Sequence, residues 1–256
     1  MIGIYFSGTG NTKHCVSAFT KLIDKNSEII PLESKELRTC IRKEKDTIVF
    51  GYPTQYSNAP IFVRDTIMKN KDFFKGKNIF IIVTMGLFSG DGAACTARLF
   101  KKVGANVIGG LHLRMPDNVC DVSTLKKAKE NNRAIINDAD KKIKKSAEAY
   151  INGRPTKEGL SFFNHVAGLL GQRLWFYFKT TKYSDRLKID TDKCIRCGKC
   201  VNECPTDNLT MNEDKVVAKD KCTMCYRCIS KCPQKAITLI GKEIVQQYRY
   251  DKVLKS

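Results

Sequence analysis

The stretch Ile4-Tyr5-Phe6-Ser7-Gly8-Thr9-Gly10-Asn11-Thr12-Lys13-His14, residues 4–14, decides how the first half of this chain is read. Residues 2–6 are an apolar strand pattern, a Gly/Ser/Thr turn follows at once, and Cys15, Ala18, Phe19 and Leu22 then recur at helical spacing. A glycine-rich turn between strand and helix suits a phosphate, because the first N–H groups of the helix and its dipole favour an anion. Two nucleotide readings fail. A Walker A loop has G-x4-G-K-[ST], and here Gly3 and Gly8 have the spacing but Thr9 stands where the lysine belongs. A dinucleotide fingerprint has G-x-G-x-x-G, and here Gly8 and Gly10 fit but Lys13 replaces the third glycine. A Gly/Ser/Thr turn with no ligand stays open as the structural alternative.

Apolar runs recur downstream. Ser27–Leu32, Thr47–Phe50, Asn78–Thr84 and Asn106–Leu113 read as four further strands. Helical patterns lie at Ala59–Met68, with Pro60 in its first turn, and at Gly92–Val103. Ser123–Tyr150 reads as a long charged helix with Leu125, Ala128, Ile135, Ile136 and Ile143 on one side. Continuous apolar strands alternating with helices predict a parallel sheet covered on both faces. The expected fold class is α/β, a five-stranded parallel, flavodoxin-like doubly wound sheet over residues 1–150. Ligands in such sheets bind beyond the carboxyl ends of the strands, which singles out the loops at residues 7–12, 51–60 and 85–92.

The second half is read from cysteine. Of twelve cysteines, Cys15, Cys40, Cys95 and Cys120 are scattered singly, and the other eight crowd into residues 194–232. Dense cysteines in a chain without a secretion signal bind metal more often than they form disulfides. Cys194-Ile-Arg-Cys197-Gly-Lys-Cys200-Val-Asn-Glu-Cys204-Pro205 is C-x2-C-x2-C-x3-C-P, and Cys222-Thr-Met-Cys225-Tyr-Arg-Cys228-Ile-Ser-Lys-Cys232-Pro233 repeats it. The repeat extends outward, pairing Asp192-Lys193 with Asp220-Lys221, Ile189 with Val217 and Leu209 with Ile237. This tandem duplication resembles the bacterial two-cluster ferredoxins over residues 188–241, which implies a small α+β domain with two [4Fe-4S] clusters. By that resemblance one cluster takes Cys194, Cys197, Cys200 and Cys232, and the other takes Cys204, Cys222, Cys225 and Cys228. Four thiolates also suit structural zinc, but zinc ligands normally arrive as two separated pairs rather than three in one short run. Every expected iron ligand is present, so the module is expected to carry electrons and do no bond chemistry.

The first loop resembles the flavodoxin phosphate loop, [T/S]-x-T-G-x-T, with Ser7, Thr9, Gly10 and Thr12 on the pattern and Asn11 in its variable position. Helix amides and hydroxyls saturate a phosphate monoester without a lysine, so the resemblance implies FMN. Gly51-Tyr52-Pro53-Thr54-Gln55-Tyr56-Ser57-Asn58-Ala59-Pro60 is similar to the loop that flanks the flavin ring in flavodoxins. It implies that Pro53 orders the turn, that backbone about Thr54 and Gln55 reaches the flavin edge, and that Tyr56 stacks on the ring. The third loop, Thr84–Gly92, is expected to cover the other side with Gly86, Phe88 and Gly90, although it holds no tryptophan or tyrosine.

The totals bound the rest. A chain of 256 residues, 42% hydrophobic and 28% charged, describes a soluble globular protein rather than a disordered one. No run of about 18 uncharged apolar residues exists, and no basic region precedes the first apolar stretch, so a cytoplasmic protein without membrane contact is expected. The formal charge of +19 falls to roughly +15 when two cluster sites of about −2 each are counted. Such a surface is a solvated lysine face or steers the protein toward an acidic partner or a membrane surface; no aromatic-interleaved basic motif points to nucleic acid. Residues 151–187 form an aromatic, helical-pattern interdomain segment with Trp175, Phe162, Phe163, Phe176, Tyr177 and Phe178, and 242–256 a basic tail. Packing between two domains is the expected use of that segment, with partner docking or an interfacial membrane helix as alternatives. The single cysteines, His112 and His165 read as core or surface residues, and no Ser–His–Asp or paired-carboxylate arrangement is identifiable, so no catalytic residue is assigned.

The whole chain resembles the flavodoxin-fused ferredoxin proteins common in anaerobic bacteria. The resemblance implies electron transfer between FMN, two [4Fe-4S] clusters and a redox partner protein, and the positive charge adds the expectation of an acidic docking surface on that partner. Two alternatives stand beside it: an FMN-dependent reductase of a quinone or nitro compound, and a ferredoxin whose empty flavodoxin domain serves for docking.

Overall fold

A strand that is apolar at every position is stable only with partners on both edges and cover on both faces. The computed structural model, which describes residues 1–43, 47–88, 90–125, 129–160 and 186–253, meets both demands. β1 (Ile2–Tyr5), β2 (Glu28–Pro31), β3 (Thr47–Pro53), β4 (Asn78–Met85) and β5 (Asn106–Arg114) form one all-parallel sheet in the order β2-β1-β3-β4-β5. The strand order reverses between β1 and β3, so the loops after these two strands diverge and leave a crevice at their carboxyl ends.

Side chains of period two sort onto the two faces. Ile48, Phe50, Ile79, Ile81 and Val83 point to one side, where they pack with residues of α2 (Leu37–Lys43), α3 (Ile61–Lys69), α4 (Lys71–Phe74) and α5 (Gly92–Lys102). Val49, Phe80 and Ile82 point to the other side, against α1 (Asn11–Ile23) and α6 (Lys129–Ile151). Phe19 of α1 stacks on Phe80 with ring centroids 4.4 Å apart. Burying each such side chain contributes about 1.5–3 kcal/mol. His112 sits against Gly159, and burial pushes it down to about 4, in keeping with a neutral core histidine.

Several elements differ from the sequence pattern. β3 runs through Gly51-Tyr52-Pro53 because these residues pair in register with Ile82, Val83 and Thr84. The short helices α2 and α4 carry too few residues to show a period. The charged segment after Asp121 is not one helix: a 3-10 turn at Ser123–Leu125 precedes α6. Thr156–Glu158, at the start of the proposed interdomain segment, adds to the sheet instead, with Gly110 N–H donating to Thr156 O and Glu158 N–H to Gly110 O. The aromatic positions 162–178 and His165 lie outside the described residues. Among the described residues no helix is long and apolar enough to cross a membrane.

The cysteine-rich segment forms two antiparallel pairs, Lys188–Ile189 with Ile237–Thr238 and Leu209–Asn212 with Lys215–Ala218. Short helices at Lys199–Asn202 and Arg227–Lys231 carry the third cysteine of each run. The segment shares a core with the loop after β5: Cys120 packs with Met224, Tyr226, Ile229, Ile237 and Leu239. Residues 242–253 belong to the segment read as a basic tail. They fold back, with Tyr248 and Val253 buried beside α1 and α6.

Asp121 holds the two parts together. It is 4% exposed; its Oδ2 accepts the backbone N–H groups of Leu239, Ile240 and Gly241 at 2.8, 2.9 and 3.0 Å, and its Oδ1 accepts the Tyr226 hydroxyl at 3.0 Å. Asp121→Ala strands all four donors, so we expect a stability loss of about 3 kcal/mol and a fall of roughly 6–12 °C in thermal midpoint. An unchanged midpoint would contradict this role.

Candidate functional site

Hydroxyl-bearing residues at a helix start are normally used as caps, yet α1 has none. Its N-cap is Gly10, with φ +101°, no side chain caps the helix and no acidic residue lies in its first turn. Ser7, Thr9, Asn11 and Thr12 are nonetheless buried. They line a cavity of about 250 Å³ at the carboxyl ends of β1, β3 and β4, close to the lower end of the roughly 300–1,000 Å³ range of small-molecule sites. Pro53, Thr54, Gln55, Tyr56 and Gly86 also line it. Buried hydroxyls and uncapped helix amides around a cavity fit a phosphate monoester, the terminal group of FMN.

Some of the expected residues serve other ends. Gly10 shapes the turn from outside the lining. Asn11 braces the fold, with Nδ2 donating to Pro116 O at 2.8 Å and Oδ1 accepting the Tyr248 hydroxyl at 2.6 Å. Gln55 Nε2 donates to Thr223 O at 2.8 Å, which ties the second loop to the cysteine segment. Tyr56 and Ser57 both have positive φ, +49° and +58°, so this turn holds its shape against backbone strain. Phe88 is 57% exposed and does not line the cavity; Gly90 packs against Ser57 instead. The third loop therefore contributes Thr84, Met85 and Gly86, not an aromatic cover.

Three parts of the wall were not expected, one of them Leu125 at the end of the Ser123–Leu125 turn. Met115–Val119, the loop after β5, is a strand-end loop like the others and the same rule could have found it. Met224, Cys225, Tyr226 and Ile240 come from the cysteine segment, and no local motif marks them as cavity residues.

The eight clustered cysteines gather as two sets of four. Cys194, Cys197, Cys200 and Cys232 line one small cavity, and Cys204, Cys222, Cys225 and Cys228 line another. Each run thus sends its fourth cysteine to the other set. Backbone N–H groups of Asn208 and Ala236, equivalent in the repeat, donate to Cys204 Sγ at 3.2 Å and Cys232 Sγ at 3.3 Å. Four soft sulfur donors with amide support fit an iron–sulfur cluster. Burial pushes Cys225 up to about 12, so a bare thiolate is disfavoured there, whereas a coordinated cation deprotonates a thiol outright. The outer cysteines Cys15, Cys40, Cys95 and Cys120 are buried, and burial pushes the thiol of Cys15 far up, as expected of inert core residues.

Residues 186–246 match the model of the 4Fe-4S dicluster domain. The dicluster segment thus follows a five-stranded flavodoxin-like sheet in one chain. Solved structures similar to the chain include a flavodoxin from the domain Archaea (15% identity, TM-score 0.42), covering 57% of this chain and 95% of that one. Others are two-electron reduced Megasphaera elsdenii flavodoxin (25%, TM-score 0.40, covering 46% and 90%) and Fusobacterium nucleatum flavodoxin bound to flavin mononucleotide (17%, TM-score 0.40, covering 60% and 98%). No match to a curated protein was found.

The dicluster segment and the phosphate loop touch through backbone. A Cβ at Gly8 would collide with the carbonyl oxygen of Cys225, and Arg227 Nη2 donates to Ser7 O at 2.9 Å while pairing with Glu33. Gly8→Ala should force these loops apart and speed chelator removal of iron from the second thiol set; an unchanged rate would argue against the contact.

Proposed function

We propose that this protein is an electron-transfer flavo-iron–sulfur protein that holds one FMN and two [4Fe-4S] clusters and serves a redox partner protein. One observation carries the reading: Cys225 and Tyr226 line both the cavity at the phosphate loop and the cavity of the second thiol set. When bound, a flavin exchanges electrons singly or in pairs and a cubane cluster exchanges them singly.

The chain's residues divide the work. Ser7, Thr9, Thr12 and the first amides of α1 bind the phosphate. Pro53–Tyr56 and Met115–Val119 orient the ring system. Met224–Tyr226 make the wall between the ring and the second thiol set, and so exclude water from the space between the two sites. The first set lies toward solvent, with Cys197 and its neighbours Ile195 and Arg196 exposed, and forms the exit toward the partner. A net charge of +19 before cofactors favours a partner with an acidic docking face. A reductase of small molecules would use an open wall over the ring; the four dicluster residues in that wall favour electron transfer within the chain. Thiolate sites of this kind persist in a reducing compartment, and we infer a cytoplasmic setting.

Two measurements test the reading. Anaerobic reconstitution should give about one FMN and eight irons per chain, and Thr12→Ala should weaken FMN roughly tenfold with iron unchanged; failure of the parent to take up FMN at full iron content would sink the proposal. Replacing Cys197 with serine should abolish electron delivery to an external acceptor protein while flavin–cluster exchange persists. Replacing Cys225 with serine should abolish that exchange itself, and the reverse pattern would overturn the proposed order.

A further inference from the structure

The duplication provides an internal control for the cavity wall. Aligning the two cysteine runs pairs Arg196 with Met224, Gly198 with Tyr226 and Lys199 with Arg227. The first member of each pair lies on the outward run, where Arg196 and Lys199 are exposed. The second member of each pair meets the flavodoxin-like part: Met224 and Tyr226 line the FMN cavity, and Arg227 bonds to Ser7.

Gly198 and Tyr226 occupy the same backbone state. Each is the N-cap of the short helix carrying its run's third cysteine, in the left-handed region at φ +70° and +61°. Glycine takes that conformation freely, whereas a tyrosine is strained in it. The second run therefore keeps a costly residue where its twin shows that glycine suffices. Tyr226 is 3% exposed and its hydroxyl is fixed on Asp121 at 3.0 Å, so the side chain is held in place from its far end. The loop after β4 leaves the cavity without an aromatic, since Phe88 is exposed and outside the lining, and the aromatic residues of the wall are Tyr56 and Tyr226.

We infer that Tyr226 is a flavin-binding residue, whose ring packs on the isoalloxazine and so supplies from the dicluster segment the aromatic contact that the third strand-end loop lacks. This rests on the flavin reading above. Aromatic packing of this kind strengthens binding beyond plain burial.

The test uses full-length protein with reconstituted clusters and FMN titration. Tyr226→Phe keeps the ring and should bind within about twofold of the parent, whereas Tyr226→Gly, which copies the twin run, should keep the parent's iron content and bind FMN roughly tenfold more weakly. Parental affinity in Tyr226→Gly overturns the assignment, and so does a Tyr226→Phe as weak as Tyr226→Gly, because the hydroxyl link to Asp121 would then be what matters. A parent with full iron that takes no FMN instead sinks the flavin reading itself. Should Tyr226→Gly fail to assemble its clusters, a second measurement decides. Excited flavin takes an electron from a stacked phenol but not from a phenylalanine ring. The fluorescence lifetime of bound FMN should therefore lengthen in Tyr226→Phe, compared with the parent tyrosine in the same Tyr56→Phe background, and an equal lifetime overturns the assignment.

Discussion

Everything in this molecule turns on the contact between Gly8 and the carbonyl of Cys225. Only a residue without a side chain lets the loop after β1 lie against the ligand loop of the second thiol set. That approach gives the two sites a common wall. A flavodoxin-like sheet tethered to a ferredoxin-like segment by a loose linker would have to bring its sites together by diffusion; here Cys225 packs into the core of the sheet itself.

The contact is held from three directions. Asp121 gathers the backbone of Leu239–Gly241 and the Tyr226 hydroxyl on one carboxylate. Arg227 reaches Ser7 and Glu33 on the phosphate-loop side. The returning chain after Gly241 closes the ring, with Tyr250 N–H donating to Thr9 O at 2.9 Å and its side chain stacking on His14. The same chain thus leaves the dicluster segment and reaches the first turn of α1 at Tyr250. The loop is therefore packed on one side by Cys225 and Arg227 of the cysteine repeat and on the other by Tyr250, which follows it; under the proposed function, FMN binding and cluster assembly stabilise the same set of contacts.

Local chemistry made much of this readable in the sequence. Uninterrupted apolar strands gave away a parallel sheet, and the turn Ser7–Thr12 and the cysteine spacing each need particular residues at particular offsets. The crossed thiol sets are what the resemblance to two-cluster ferredoxins implies, and the lining of the two small cavities agrees. What could not be read is what depends on the two halves meeting. Tyr226 looks like any residue inside a cysteine motif until its backbone angle is set beside that of Gly198. Gln55 and Asn11 have the residue types of ligand contacts, but the partners that claim their side chains, Thr223 and Tyr248, are distant in sequence. Phe88 suits a cavity cover by its loop alone, yet it is exposed and outside the lining, and Met224, Cys225, Tyr226 and Ile240 stand in the wall from far along the chain.

The central claim is that flavin and clusters exchange electrons within one chain. Flash photoreduction of the FMN in anaerobically reconstituted full-length protein, followed by bleaching of the cluster absorbance, tests it most directly. The account predicts a first-order transfer whose rate is the same at every protein concentration. A rate that rises in proportion to concentration, or cluster absorbance that never bleaches, would contradict it.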